Sequence, residues 1–352
     1  MYGMETMLAM VYRGVGDIGL ERRPIPRICD PRDAVVRVTR STICTSDLHI
    51  AHGAVPRAVP GIVLGHEFVG EIVAVGEALK GRLHVGERVA ACCETFCGEC
   101  WFCRRGYVNN CTQGGWELGC RIDGCQAEYV RVPFADTGLT PIPDHVSDED
   151  ALFLGDILAS GYFGAELCEI QTGDTVAVLG AGPVGLCAME CARLLGAGQV
   201  IAIEPRKERR ELARAEGLAD VVLAPGESGE ILARTEGRGA DGVIECAGGA
   251  DTFQTAWQIA RPNGIVAVVA MYEQNQVLPL PEMYGKNLIF KTGGVDARHG
   301  QRLMDLLAAG RLRTDFLITH RGGLDRIEEG YRVFSDPESG CIKWVVTPPG
   351  EG

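Results

Sequence analysis

Thr175-Val176-Ala177-Val178-Leu179-Gly180-Ala181-Gly182-Pro183-Val184-Gly185 is the stretch from which the fold is read. Its first five residues form a short apolar run, and the next six carry three glycines and open Val184 to Leu195, an almost wholly apolar segment. The order is strand, tight turn, buried helix: Pro183 sits near the helix start, where a missing N–H costs little, and Gly196 closes it. Glycines in that context let the turn close and let backbone approach a pyrophosphate, whose charge faces the helix N-terminus. Glu204 ends the following apolar run, 24 positions after Gly180. A carboxylate there accepts hydrogen bonds from an adenosine ribose. Gly180, Gly182, Pro183, Val184, Gly185 and Glu204 are therefore candidate cofactor-binding residues, and NAD is the expected cofactor. NADP is the less favoured form, because its 2′-phosphate would set about two negative charges against Glu204. Arg206, Lys207, Arg209 and Arg210 follow closely, and a guanidinium over the adenosine would offset part of that repulsion.

Working outward, Thr175–Leu179, Gln199–Ile203, Val221–Leu223, 242–245, 265–269 and 288–292 are six short apolar runs, most of them separated by helix-compatible stretches. That alternation predicts an α/β unit whose doubly wound parallel sheet is covered on both faces. Cys246, Gly248 and Gly249 end the fourth run, where they either flank the nicotinamide half of a dinucleotide or form a plain turn. Upstream of about Leu158 the character differs. Val/Ile-rich segments at 34–38, Phe68–Val75 and Arg88–Ala91 are punctuated by Gly and Pro, the pattern of a small β-barrel or sandwich. After about Gly300 a helix (301–309) and a last short strand (341–346) are expected to return to this first domain. The expected organisation is thus 1–158 with 300–352, interrupted by 159–299.

Length agrees, since 352 residues at roughly 150 per domain suggest about two domains. Hydrophobic residues make up 46% and charged residues 23%, close to the globular average, so a disordered or fibrous chain does not fit. Lys+Arg 34 against Asp+Glu 47 gives a net charge of −13, which repels polyanions and argues against nucleic acid or anionic membrane as partners. The longest apolar stretch near the middle, Ile265 to Met271, is far too short to span a bilayer. The first fourteen residues lack the basic and apolar pattern of a secretory signal, so a cytoplasmic location is expected.

Fifteen cysteines in a chain of this size suggest metal ligation rather than a disulfide framework. Cys97, Cys100, Cys103 and Cys111 supply four soft ligands on one loop, enough to close a tetrahedral shell around Zn²⁺ with no open position. Spacing alone leaves an iron–sulfur cluster open. Arg104 and Arg105 are placed to offset the negative charge of four thiolates. A looser constellation comprises Cys44-Thr45-Ser46-Asp47-Leu48-His49, then Gly65-His66-Glu67, then Gly155-Asp156. One Cys, one His and one carboxylate would leave Zn²⁺ a fourth position for water or substrate.

Cys44-x-Ser46-Asp47-x-His49, Gly65-His66-Glu67-x2-Gly70-x5-Gly76, the cysteine loop and Gly180–Gly185 occur in the order seen in zinc-dependent medium-chain alcohol dehydrogenases, and the resemblance runs over nearly the whole chain. Its closest flavour is that of the bacterial secondary-alcohol dehydrogenases, through Gly114-Gly115-Trp116, the segment from Asp156 to Leu167, and Val277-Leu278-Pro279. Unlike some thermophilic enzymes of that type, this chain has the four-cysteine lobe. The resemblance implies a GroES-like catalytic domain split around a Rossmann domain, with a structural zinc lobe at about 93–113. It implies Cys44, His66 and Asp156 as ligands of a catalytic zinc, and Glu67 as a neighbouring or exchangeable fourth ligand, making two zinc ions per chain. It also implies a cleft with Trp116 and Ile157 as candidate walls, and a dimer or tetramer. Ser46 and His49 are candidates for passing the released proton through the cofactor ribose. The expected activity interconverts a small-molecule alcohol with its aldehyde or ketone. Formaldehyde, polyol and threonine dehydrogenases of the same fold are the alternatives, and a zinc-binding redox sensor is the non-enzymatic one.

Overall fold

The computed structural model describes residues 5–349. By internal packing the chain divides into one unit of residues 1–156 and 297–352 and a second of residues 157–296.

In the first unit, β1 (Thr6–Gly14) and β2 (Asp17–Pro24) form an antiparallel hairpin. It continues with β3 (Ala34–Thr42), β4 (Phe68–Val75), β5 (Arg88–Ala91), β6 (Tyr129–Val132) and β7 (Leu139–Pro141). The second unit holds β8 (Thr175–Leu179), β9 (Gln199–Ile203), β10 (Val221–Leu223), β11 (Ala240–Glu245), β12 (Ala260–Val268) and β13 (Ile289–Thr292). β14 (Ile318–Gly323) and β15 (Lys343–Thr347) then return to the first unit. There the sheet order is β14-β15-β3-β4-β5-β7, with β6 also paired to β3.

The first unit's core follows from β-branched and aromatic residues on the inward face of these strands. Val36 and Val38 of β3, Phe68 and Ile72 of β4, Val89 of β5 and Val130 and Val132 of β6 are buried in one cluster. β15 lies antiparallel to β3 with Val345 opposite Thr42, a register that carries Lys343 alongside the chain just past β3, where Ile43 and Cys44 follow. The return strand starts two residues later than its apolar pattern suggests. The N–H of Cys341 bonds to the Ser339 hydroxyl and that of Ile342 to the Thr319 hydroxyl, so neither is available to a ladder.

The second unit is a six-stranded sheet in the order β10-β9-β8-β11-β12-β13, parallel throughout. Strand order reverses between β8 and β11, and the carboxyl ends of strands at such a switch point are where nucleotides bind in this architecture. The helix Pro183–Leu194 leaves the end of β8 there. Gly180 has φ +94°, and a Cβ on Gly185 would lie 1.9 Å from the Gly180 carbonyl oxygen, so the turn closes only with glycine at both ends. Among the described residues no helix is long and apolar enough to cross a membrane.

Candidate active site and metal centres

Cys44 immediately precedes the helix Thr45–Ala51, and its backbone N–H donates to Asp47 Oδ2 at 2.8 Å, which fixes the helix start. His66 and Glu67 lie just before β4. Asp156 sits in a helical turn after Gly155, where a Cβ would come within 1.8 Å of the Ala91 carbonyl at the end of β5. That glycine lets the carboxylate-bearing turn press against the sheet. The ligand atoms of Cys44, His66, Glu67 and Asp156 all lie within 4.8 Å of one another.

The distances suit a tetrahedral ion. Bonds of about 2.3 Å to sulfur and 2.0–2.2 Å to nitrogen or oxygen set ligand atoms about 3.4–3.6 Å apart. Cys44 Sγ lies 3.7 Å from Asp156 Oδ2, and His66 Nε2 lies 3.4 Å from the same oxygen. Charge points the same way. Burial and the charges of Glu67 and Asp156 push the Cys44 thiol up, against the pull of Lys343. Burial also raises Glu67 to about 7, although Lys343 opposes it. Burial alone would lower His66, yet Asp47, Asp156 and Cys44 hold it well above its ordinary value. Burial disfavours ionised Asp156 too, but His66 and Lys343 outweigh that and keep its carboxyl low. A buried set with this excess of anionic donors is one that a dication relieves.

Around these four stands a shell that the motifs do not reveal. Asp47 is fully buried; its Oδ2 also accepts from Gln126 Nε2 at 3.0 Å, and its Oδ1 lies 3.5 Å from His66 Nδ1. Gln126 in turn accepts from the Tyr331 hydroxyl at 2.8 Å. A carboxylate facing the far nitrogen of a histidine orients the ring and leaves Nε2 to the metal. The ammonium of Lys343, 1% exposed, donates to Glu67 Oε2 and, at 3.2 Å, to the Ile43 carbonyl. Glu67 Oε1 is buried with no hydrogen-bond partner in the described structure, as a donor atom turned toward a cation would be.

The cysteine lobe has a different geometry. Sulfur separations are 4.0 Å for Cys97–Cys103, 3.5 Å for Cys100–Cys103 and 3.6 Å for Cys97–Cys111. Disulfide bonds of about 2.05 Å are excluded for these pairs, whereas four thiolates at about 2.3 Å from one ion stand about 3.8 Å apart. Backbone N–H groups of Cys97, Cys100, Cys103 and Gln113 point at the sulfurs at 3.3–3.5 Å. Such bonds from Cys103 and Thr112 draw the Cys100 thiol down to about 5. The Arg105 guanidinium stacks on Trp101, 3.9 Å from the ring centre.

At the glycine turn, Glu204 is 3% exposed. Its Oε2 accepts from the Ala181 N–H at 2.7 Å and its Oε1 from the Arg206 N–H at 2.8 Å, so the carboxylate spans the two turns that an adenosine ribose would meet. A Cβ on Gly182 would lie 3.5 Å from the Arg209 guanidinium, which places that cation at the glycine turn, while Arg210 bonds the Glu204 and Pro205 carbonyls. The Cys246 N–H bonds to Leu179 O, and Glu245, fully buried, accepts from the N–H groups of Ala247 and Gly248.

Comparison with known proteins gives this geometry a family. The Alcohol dehydrogenase GroES-like domain matches residues 30–144, and the Zinc-binding dehydrogenase domain matches residues 183–307. An alcohol dehydrogenase of Cupriavidus necator is 38% identical, over 97% of this chain and 99% of its own length. The chain belongs to the zinc-dependent medium-chain alcohol dehydrogenase family. An NADP-dependent isopropanol dehydrogenase of Thermoanaerobacter brockii is 36% identical, over 94% of this chain and 97% of its own. The solved alcohol dehydrogenase from Thermus sp. ATN1 aligns with a TM-score of 0.89 at 36% identity, covering 97% of this chain and 100% of that one.

The other sequence-derived site residues of the dehydrogenase are placed as follows. Ser46 Oγ lies 3.2 Å from His66 Nε2, and His49 stands one turn further along the same helix. The Trp116 indole meets the His66 ring edge-on, centroids 5.7 Å apart. Ile157, directly after Asp156, is buried.

Proposed function

We propose that the dehydrogenase oxidises a primary or secondary alcohol reversibly to its aldehyde or ketone, with NAD preferred to NADP and two zinc ions per chain. The observation that carries this reading is the convergence of Cys44, His66 and Asp156, from three separate segments, at distances that fit a tetrahedral ion. These three residues would hold the catalytic ion, and Cys97, Cys100, Cys103 and Cys111 the closed structural one. When bound, catalytic zinc supplies a Lewis acid that polarises the substrate oxygen and lowers the alcohol's pKa.

The chain's own groups account for the rest. Asp47 orients His66, and Lys343 holds one oxygen of Glu67 while leaving the other for the cation. Ser46, 3.2 Å from His66 Nε2, would take the hydroxyl proton, and His49, further along the same helix, would receive it on its way to solvent. The turn from Gly180 to Gly185 receives the pyrophosphate at the start of the helix Pro183–Leu194. Glu204 accepts the ribose hydroxyls and repels a 2′-phosphate, a preference that Arg206 and Arg209 soften. Cys246 lies by the nicotinamide half, and Trp116 and Ile157 border the substrate. We also propose a homodimer or homotetramer assembled through the edge strand β13. Leu280, Tyr284 and Ile289 expose large apolar surface there, with Tyr284 86% exposed. A reducing cytoplasm would keep the four thiolates of the lobe and that of Cys44 intact.

Initial rates on alcohols, diols, hydroxy amino acids and formaldehyde, with each nicotinamide cofactor and on protein of measured zinc content, test the reading. The expected result is turnover of a simple alcohol with kcat/KM higher for NAD. Glu204→Gly should narrow or reverse that ratio. No turnover in zinc-replete protein would overturn the activity, and a wild-type preference for NADP would overturn the cofactor assignment.

A further inference from the structure

Arg57 is an exposed arginine on the loop after the first helix, and its guanidinium stands 5.1 Å from the centre of the Trp116 ring. Among the described residues it pairs with no carboxylate, whereas nearby Arg121 is held by Glu117. The guanidinium is directed back toward the 116–120 loop: its charge and a hydrogen bond from one of its N–H groups reach the Cys120 thiol, offsetting part of the burial that raises it and leaving its other N–H groups for an anion. Trp116 Nε1 is buried and has no acceptor. The same indole touches the ring of His66, so Arg57 stands one side chain away from the four converging donors. A guanidinium stacked on an aromatic face keeps its N–H edges available for two parallel bonds to a carboxylate or phosphate. In a chain of net charge −13, an anion reaching this site needs such a local cation to offset the field.

We propose that Arg57, with Trp116, recognises an anionic group on the substrate, so that the enzyme prefers alcohols carrying a carboxylate or phosphate several bonds from the carbinol carbon. This rests on the dehydrogenase reading of the neighbouring cluster. The legs of 5.1 and 5.7 Å correspond to a chain of about four to eight bonds between hydroxyl and anion.

The test compares kcat/KM for 5-hydroxyhexanoate, its methyl ester and 3-hydroxybutyl phosphate, in wild type, Arg57→Ala and Arg57→Lys. The expected ratio of acid to ester is about tenfold or more in wild type. It should fall about 10- to 100-fold in Arg57→Ala, recover in part in Arg57→Lys, and shrink as salt is raised. A higher value for the phosphate than for the acid would identify phosphate as the anion. Quenching of tryptophan fluorescence by hexanoate, compared with 1-hexanol, reads binding without turnover. It should weaken in Arg57→Ala by a similar factor, and Trp116→Phe identifies the source of the signal. Turnover of the ester with no preference for either anion overturns the proposal. Arg57-dependent hexanoate binding without turnover of any alcohol would instead overturn the dehydrogenase reading and leave this one standing.

Discussion

Cys97, Cys100, Cys103 and Cys111 come from a single fifteen-residue loop and are met by backbone N–H groups. Cys44, His66, Glu67 and Asp156 come from three segments up to 112 positions apart and are steadied by the buried side chains of Asp47, Gln126 and Lys343. On the proposed reading the first cluster would spend all its donors on closing a shell, whereas the second would present three strong protein ligands and one carboxylate already shared with an ammonium. An ion in the closed shell has no position for substrate, while one in the open set does. If the proposed reading holds, the contrast separates a centre that shapes the chain from one that reacts, and it also predicts which is lost first. Chelation should abolish activity before it empties the lobe, with metal analysis giving two equivalents per chain at the start.

The sharpest way to break the comparison is Asp156→Ala. A methyl replaces one of three strong ligands of the open set. Losing several kcal/mol of Lewis-acid stabilisation, at about 1.4 kcal/mol per factor of ten, should lower kcat/KM about 10³-fold or more. One equivalent of zinc should remain, in the lobe. Retention of both ions with full activity would refute the assignment.

Asp47→Asn asks whether the open cluster depends on its buried neighbours. The amide keeps the shape and loses the charge that faces His66 Nδ1. Weakening such a partner typically costs about 10- to 100-fold in metal affinity, to be read by competition with a chelator. Zinc in the lobe should be unaffected, because those sulfurs are met by backbone N–H groups of their own loop. Equal loss from both centres would erase the distinction drawn above.

The two centres also differ in how legible they are. The lobe is readable from spacing alone because its ligands are covalent neighbours, and a loop that short must bring them together. Cys44, His66 and Asp156 form only a loose constellation in sequence, which the resemblance to a family sharpens into a ligand set, since their meeting depends on how β3, β4 and the Gly155 turn pack. Lys343 was missed for the same reason. It lies 276 positions from Glu67 and reaches it through the register of β15 on β3, which no local pattern encodes. Asp47 stood inside a quoted motif, but its buried bonds to Gln126 and to the Cys44 N–H were not readable. The parallel sheet was legible because strands buried on both faces are continuous apolar runs. β6 and β7, of four and three residues, are too short for a period to show, and the β1–β2 hairpin is masked by the charged run Glu21-Arg22-Arg23 on β2, which breaks the alternation.

A smaller effect is expected at His49, which serves the open centre without touching its donors. If it receives the proton that leaves through Ser46, His49→Gln should lower kcat about 10- to 100-fold near neutral pH, at or below the low end of the roughly 10²–10⁴ that acid–base groups contribute. The loss should shrink as pH rises, because solvent hydroxide then takes the proton directly. Zinc content should stay at two equivalents. An unchanged pH–rate profile would remove His49 from the path and leave Ser46 as a residue that only borders His66.

The smallest effect on turnover belongs to the closed centre. Cys111→Ser exchanges one soft thiolate for a poor ligand at the far end of the loop, so the lobe should lose its ion while Cys44, His66 and Asp156 keep theirs. Because the lobe's sulfurs are held by their own loop's backbone, its loosening need not move the open cluster, and kcat should change by no more than about threefold at 25 °C. Stability should register the loss instead. A structural zinc site contributes folding free energy outright, and for a chain of this size each 1 kcal/mol shifts Tm by roughly 2–4 °C. Partial loss of the site's contribution should therefore lower Tm by about 5–15 °C and hasten inactivation on warming. Metal analysis, thermal denaturation and initial rates on the same preparation decide the matter: a fall in kcat as large as that of Asp156→Ala would mean that the lobe takes part in the reaction and that the two centres do not divide the labour in this way.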